Sequence, residues 1–97
     1  MNHNFKYAAV QFWDDKGLIH IYIGKNYDDI IKDIKEESFI NCYKRHHIDG
    51  FILHVGGFNN RFIDTEMATK IATRLQIPMK QDYLTPEDLW DNSAPVA

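Results

Sequence analysis

The side chains of this chain that are most able to do chemistry are its histidines and its single cysteine. Zinc usually takes four ligands, and the sequence has neither an HExxH helix nor paired cysteines beside the histidines. We therefore expect ordinary surface or half-buried histidines, with a metal site or an acid–base pair as the less favoured alternative. No metal and no other cofactor is predicted. The histidines considered are His20, His46, His47 and His54.

Cys42 could act as a nucleophile if a histidine lay beside it. Its neighbours, Asn41 and Tyr43, form no orienting motif, so a buried residue of the core is the favoured interpretation. A single cysteine excludes an internal disulfide, and a free thiol is typical of a reducing cytosol. Because no combination of base, nucleophile and metal ligands stands out, an enzyme is the least favoured class of function.

A loop rich in glycine and asparagine precedes the second long helix that the sequence predicts, and it could bind an anion. Amides at a helix N-terminus bind phosphates, and an arginine can add a bidentate contact. The spacing matches neither common phosphate motif, and Asp64 already occupies the predicted cap of the helix, so a structural turn is favoured over a nucleotide-like ligand. The candidate ligand-binding residues are Gly57, Asn59, Asn60 and Arg61.

Two strands, residues 7–13 and 18–23, form a predicted β-hairpin because both are rich in β-branched and aromatic residues. If Trp13 pairs with Leu18, then Phe12 faces Ile19 and the core face contains the isoleucines of the second strand. The opposite face is then both aromatic and polar, which is typical of an interface with another protein or in a homodimer. Extra core beneath the C-terminal segment and a base-stacking surface are the alternatives. This face carries Tyr7, Gln11, Trp13, His20 and Tyr22.

A basic segment, residues 44–47, provides a second candidate surface for contact with a partner. It follows the first predicted helix, residues 26–37, for which Asn26 is the expected cap. The residues proposed to contact the partner are Arg45, His46 and His47. Residues 48–50 are predicted to form a turn after this segment.

The remaining elements complete a small α+β domain. Residues 51–55 are predicted to be a third strand, Asp64 caps a second helix, and residues 85–88 begin a short helical turn. A crossover after the hairpin brings the third strand beside the first, which gives an antiparallel sheet packed against two helices. We expect one domain over residues 1–97, with residues 91–97 as a flexible tail.

Composition limits the function further. A hydrophobic share of 44% is typical of a globular protein, and a net charge of −3 argues against general nucleic-acid binding. The N-terminus lacks an apolar secretory segment, and no apolar run is long enough to span a membrane. The sequence therefore predicts a protein of the cytoplasm without membrane association.

The C-terminal forty or so residues contain a recognisable series of short motifs. These are Arg61-Phe62-Ile63-Asp64-Thr65-Glu66-Met67-Ala68, Ile71-Ala72, Gln76 and Leu84-Thr85-Pro86-Glu87-Asp88-Leu89-Trp90. They resemble a family of short bacteriophage and prophage proteins with no established enzymatic role, in which a GRFVDREEA-like helix start is followed by IA, often by a GQ pair, and by an LxSEDLW-like end. An earlier G-x-R-H segment of the family reads Gly24-Lys25-Asn26-Tyr27 here. The resemblance implies a non-enzymatic phage accessory protein that binds a host protein or complex in the host cytoplasm, in counter-defence or host takeover.

Overall fold

A computed structural model of the chain describes residues 4–90, and it confirms the α+β class. The predicted tail, residues 91–97, lies outside the described residues. No helix in the described part is long and apolar enough to cross a membrane. The elements, in chain order, are β1 (Phe5–Trp13), β2 (Ile19–Gly24), α1 (Tyr27–Glu36), α2 (Ile40–Arg45), β3 (His47–Gly56), β4 (Asn59–Asp64), α3 (Thr65–Arg74) and α4 (Pro86–Leu89).

The sheet has four antiparallel strands in the order β2-β1-β3-β4, so the predicted three-stranded sheet was one strand short. The prediction that β3 lies beside β1 is confirmed. The fourth strand, β4, was missed because its glycine- and asparagine-rich start was interpreted as a loop. Gly56 and Gly57 adopt φ angles of +127° and +57°, and this conformation, which glycine tolerates best, turns the chain back on itself into β4.

The predicted register of the first hairpin is wrong by one residue. Trp13 pairs with Ile19 rather than with Leu18, because Leu18 belongs to the turn. The backbone N–H of Asp14 donates to the carbonyl oxygen of Leu18 at 2.9 Å, and the Asp14 carboxylate accepts from the N–H of Lys16 and of Leu18. Since strand side chains alternate, this shift of one residue exchanges the two faces of β2.

The core lies between the sheet and one layer of helices. Phe12 of β1 and Phe51 of β3 are fully buried there, together with Ile30 and Ile34 of α1. Cys42 of α2 is part of the same core. All helical residues that are buried in α1, α2 and α3 join this cluster, so these helices pack on a single face of the sheet.

Local capping sets where the helices begin and end. The Asn26 side chain accepts from the N–H of Asp29 at 2.8 Å, and the Asp64 side chain accepts from the N–H of Met67 at 2.9 Å, which confirms both predicted caps. Ser38 adopts a φ of +69°, which separates α1 from α2. The predicted helical turn near the C-terminus is present, and Thr85 and Asp88 form a capping box there.

Strand β3 begins earlier than predicted. It runs from His47, so the residues predicted as a turn, 48–50, lie in the centre of the sheet. Gly50 is required there, because a Cβ atom on it would lie 2.0 Å from the carbonyl oxygen of Ile63 in β4. The turn prediction failed because a glycine was taken for a chain reversal when it instead allows two strands to approach closely.

Candidate functional site

The face of the sheet opposite the helices is the principal candidate site, and we call it the open face. The core contains Ala8, Val10 and Phe12, so the alternate residues of β1 point to the other side. Pairing then places residues of the other three strands on the same side. The open face consists of Tyr7, Ala9, Gln11, Trp13, Ile19, Ile21, Ile23, Ile48, Ile52 and Phe62.

None of these ten residues is charged, and most of them are apolar. Toward β4 the same register continues into polar residues, with His54 opposite Asn60 and Asp64 opposite Gly50. Ile19, Ile21 and Ile23 are 57%, 46% and 46% exposed, although isoleucine is among the residues most often buried in proteins. Around them the side chains of Trp13 and Ile52 are half-buried. The face exposes on the order of 500 Å² of apolar surface, which is in the range where patches on monomers are often functional.

The structure brings together three of the five residues predicted for the sheet surface. Tyr7, Gln11 and Trp13 lie on the open face, whereas the placement of His20 and Tyr22 there is wrong. Those two side chains lie on the helical side, where both stack on Phe12. The cause is the shifted hairpin register.

His20 takes part in a structural cluster on the helical side. Its ring lies 4.6 Å from that of Phe39, and its Nε2 is 2.8 Å from an oxygen of Asp14. The hydrogen bond with His20, assisted by those from the turn amides, lowers the pKa of Asp14. This pair holds the hairpin turn in place, since the same carboxylate accepts the N–H groups of the turn.

Tyr22 connects the edge strand to the end of α1. Its hydroxyl donates a hydrogen bond to the carboxylate of Glu37. Burial and this bond to a carboxylate raise the pKa of Tyr22 to about 12, because both disfavour the phenolate. The shifted register places Tyr22 on the helical side, and this contact holds its side chain there.

The basic segment is divided between the two sides of the sheet. The guanidinium of Arg45 lies 2.8 Å from the carboxylate of Asp15, and both groups are largely exposed. The ring of His46 stacks on Trp13 with 5.4 Å between centroids, so it adjoins the open face. The His47 ring instead stacks on Tyr43 with centroids 3.9 Å apart. Of the three predicted contact residues, His46 therefore joins the open face directly.

The predicted anion site does not lie at a helix N-terminus. Gly57 is in the tight turn between β3 and β4, and Asn59, Asn60 and Arg61 belong to β4 itself. The strand separates this turn from the start of α3 by roughly 20 Å at the usual rise per residue. Asn60 lies beside His54, with 3.1 Å between the amide oxygen and Nδ1. The loop interpretation is wrong, and the proposed site loses the helix amides that supported it.

A cavity of about 350 Å³ lies where the first turns of α1, α3 and α4 meet, and the sequence did not indicate it. Its lining includes the carboxylates of Asp28, Asp49 and Glu87, which would repel a nucleotide-like anion. Tyr27 also lines it, and burial, followed by the charge of Asp49, raises the pKa of this tyrosine. Across residues 4–90, no group of three or more histidine, cysteine or acidic side chains could hold a metal ion.

Sequence reasoning missed the isoleucines of the open face. Ile19, Ile21 and Ile23 alternate with His20 and Tyr22, and this pattern was interpreted as a core side and an exposed side with the two sides exchanged. Ile48 was missed because it was placed in a turn. The alternation correctly indicated a strand with two different faces. The isoleucines were assigned to the core only because they are the more hydrophobic residues.

A comparison of the chain with protein-family models, curated proteins and solved structures finds no match. The resemblance to the short phage proteins therefore rests on the quoted C-terminal residues alone.

Proposed function

We propose that this protein is a non-enzymatic, phage-encoded accessory protein that binds a host protein or complex in the host cytoplasm through its open face. The single observation that carries the binding role is the exposure of three isoleucines, Ile19, Ile21 and Ile23, on one face of the sheet. Protein–protein interfaces have a core depleted in charged residues and enriched in aromatic ones. The phage origin and the host setting rest on the resemblance of the C-terminal half.

The aromatic residues of the open face are the best candidates for binding energy. Tyr7 is exposed and Trp13 is half-buried, with its ring supported by His46. Tyrosine and tryptophan dominate interface hot spots because each buries a large area at a small cost in side-chain entropy. The polar group of Gln11 lies on the open face and can add a directional contact, and the exposed Arg45, which pairs with Asp15, is a further candidate contact.

Affinity capture from host lysate tests this proposal, with the tagged wild-type chain compared with Tyr7→Ala and Trp13→Ala. We expect one host protein to be captured in stoichiometric amount by the wild type, and each variant to weaken its binding at least about tenfold. The measured quantity is the dissociation constant for the purified host protein. Circular dichroism establishes that each variant is folded.

Leu75→Ala is the matched control for these variants. Leu75 is an apolar residue that is 50% exposed at the end of α3, on the helical side of the sheet. The Leu75→Ala variant should bind the host protein with the affinity of the wild type. Folded Tyr7→Ala and Trp13→Ala proteins that bind with wild-type affinity would exclude the open face as the binding surface.

The alternative function is a module that binds a nucleotide-like anion at Gly57, Asn59, Asn60 and Arg61. Arg61 is exposed near the hairpin turn, which leaves its guanidinium accessible to an anion. Native mass spectrometry with added nucleotides tests this alternative directly. An adduct of nucleotide mass that is lost in Arg61→Ala would favour it over the host-binding role.

A further inference from the structure

The two edges of the sheet differ in chemistry. Strand β4 carries Arg61 and Asp64, and charged residues on an edge strand oppose pairing with another chain. Strand β2, at the other edge, has neither a charged residue nor a proline along Ile19–Gly24. Within residues 4–90 it pairs with β1 alone. An uncharged, apolar edge of this kind is a template for addition of a further strand.

The free backbone groups of β2 belong to the same residues whose side chains are exposed. The N–H of Asp14 bonds to the carbonyl oxygen of Leu18, so Leu18 directs its carbonyl toward the β1 side. Because hydrogen-bonded and non-hydrogen-bonded pairs alternate in an antiparallel ladder, His20 and Tyr22 also direct their backbone groups toward β1. Ile19, Ile21 and Ile23 therefore direct their N–H and C=O groups outward.

We propose that two copies of this chain associate through antiparallel pairing of β2 with β2 of the second copy, which joins the two sheets into one of eight strands. A twofold axis at Ile21 places Ile21 opposite its own copy and Ile19 opposite Ile23. This register forms about six backbone hydrogen bonds between the copies. It leaves no outward-pointing group of these three residues without a partner.

The side chains of β2 are complementary to themselves in this register. On the open face the three exposed isoleucines of each copy meet as cross-strand pairs, which bury apolar surface that the monomer leaves in water. On the helical side His20 lies opposite Tyr22 of the second copy. No like charges are opposed along the strand, because the strand has no charged residue.

Edge pairing also places the two open faces side by side. The monomer face, on the order of 500 Å², is smaller than the roughly 800 Å² that each partner buries in a standard interface. Two faces in one continuous sheet reach that size. The dimer depends only on β2 and does not rest on the proposed function, but it would present a host protein with a surface about twice as large.

The test is the molar mass of the full chain, measured by light scattering over a range of protein concentrations. We expect the wild type to reach twice the monomer mass of 11.4 kDa at micromolar concentrations. Ile21→Pro removes an outward N–H without removing a bond to β1, and it should raise the dimer dissociation constant at least about tenfold. Ile21→Thr retains the N–H and a β-branched side chain, and should remain dimeric.

Three results of this measurement overturn the proposal. One is a wild-type chain that remains a monomer throughout the concentration range. Another is a folded Ile21→Pro protein that dimerises as the wild type does, which would place the contact elsewhere. Loss of the dimer in Ile21→Thr to the same extent as in Ile21→Pro also overturns it, because contact through side chains on the open face would then suffice.

Hydrogen exchange of the wild type keeps the proposal testable if Ile21→Pro fails to fold. The amides of Ile19, Ile21 and Ile23 should become protected as the protein concentration rises and lose protection on dilution. Protection that does not depend on concentration and is lost when residues 91–97 are deleted would identify that segment as the occupant and overturn the proposal. Protection only after addition of a host protein would overturn it as well, while leaving the proposed function standing.

Discussion

The hydroxyl of Tyr27 donates a hydrogen bond to the carbonyl oxygen of Gly50 at 2.7 Å, which ties the first turn of α1 to the central strand β3. The Tyr27 ring also packs edge-on against Phe51, with centroids 6.2 Å apart. Burial raises the pKa of Tyr27, so the hydroxyl keeps its proton and remains a donor at all pH values near neutrality. The helical layer and the sheet are therefore joined by a polar contact as well as by the core.

Removing that hydroxyl should destabilise the protein. Tyr27→Phe retains the ring contact with Phe51 but leaves the Gly50 carbonyl oxygen without this donor, so we expect a loss of about 1–2 kcal/mol in the free energy of unfolding. Urea denaturation followed by circular dichroism measures the loss. Tyr83→Phe is the control, because Tyr83 is an exposed tyrosine that lines the same cavity. Equal effects of the two substitutions would contradict the structural role of the hydrogen bond.

Substitution of Gly50 should be more damaging. The new methyl group of Gly50→Ala would lie 2.0 Å from the backbone oxygen of Ile63, and the paired backbones of β3 and β4 cannot move apart without breaking the ladder. We expect a loss of about 3 kcal/mol or more in the free energy of unfolding, or failure to fold.

Gly24→Ala is the matched control for this substitution. Its methyl group would lie 3.0 Å from the side chain of Ile30, a contact that a shift of a few tenths of an ångström relieves, and 3.6 Å from the backbone oxygen of Asn26, which is an ordinary contact. A loss of about 1 kcal/mol is expected from the strain. If Gly50→Ala proved as mild as Gly24→Ala in urea denaturation, the close approach of β3 and β4 at this position would be refuted.

The hairpin turn should make stability depend on pH in the acid range. The hydrogen bond with His20 lowers the pKa of Asp14 in the folded state below its unfolded value. The unfolded chain therefore binds a proton at a higher pH than the folded protein does. The stability that Asp14 contributes is present above about pH 4 and is lost as the pH falls through the folded pKa.

Asp14→Asn tests this dependence because it retains a side-chain acceptor but cannot titrate. The free energy of unfolding, measured by urea denaturation between pH 2 and pH 6, should vary less with pH in this variant than in the wild type. His20→Phe, which retains an aromatic ring between Phe12 and Phe39 but not the hydrogen bond, should flatten the profile in the same direction. Identical profiles for all three proteins would show that Asp14 does not carry this contribution.

Most of the secondary structure could be predicted because its signals are local. Asn26 and Asp64 cap their helices through amides three residues away, and Thr85 with Asp88 does the same in the last turn. Each signal requires only neighbouring residues, so it can be recognised without knowledge of the fold. The hairpin and the placement of β3 beside β1 were also predicted correctly.

Apart from the hairpin register, which the turn at residues 14–18 decides, the errors concern features that depend on partners distant in the chain. The sequence of β4 begins like a loop, and the segment is recognised as a strand only from its hydrogen bonds with β3. The sequence around Gly50 has the composition of a turn, and only the close approach of the β4 backbone shows why a glycine is needed there. Residue type and spacing do not distinguish a strand from a loop at β4, or a close strand approach from a turn at Gly50. Strand pairing is a tertiary interaction, and the energy that stabilises a strand comes from its neighbouring strand.

An α+β domain with capped helices and an amphipathic hairpin follows from the amino-acid sequence alone, because hydrogen bonds and side-chain periodicity within short segments specify these features. The face of β2 that meets the helices is evident only in the folded chain. Leu18 remains in the turn, Trp13 pairs with Ile19, and the resulting shift of one residue turns His20 and Tyr22 inward and the isoleucines outward. A strand has a period of two residues, so the pattern specifies two faces, and the closed geometry of the turn selects between them.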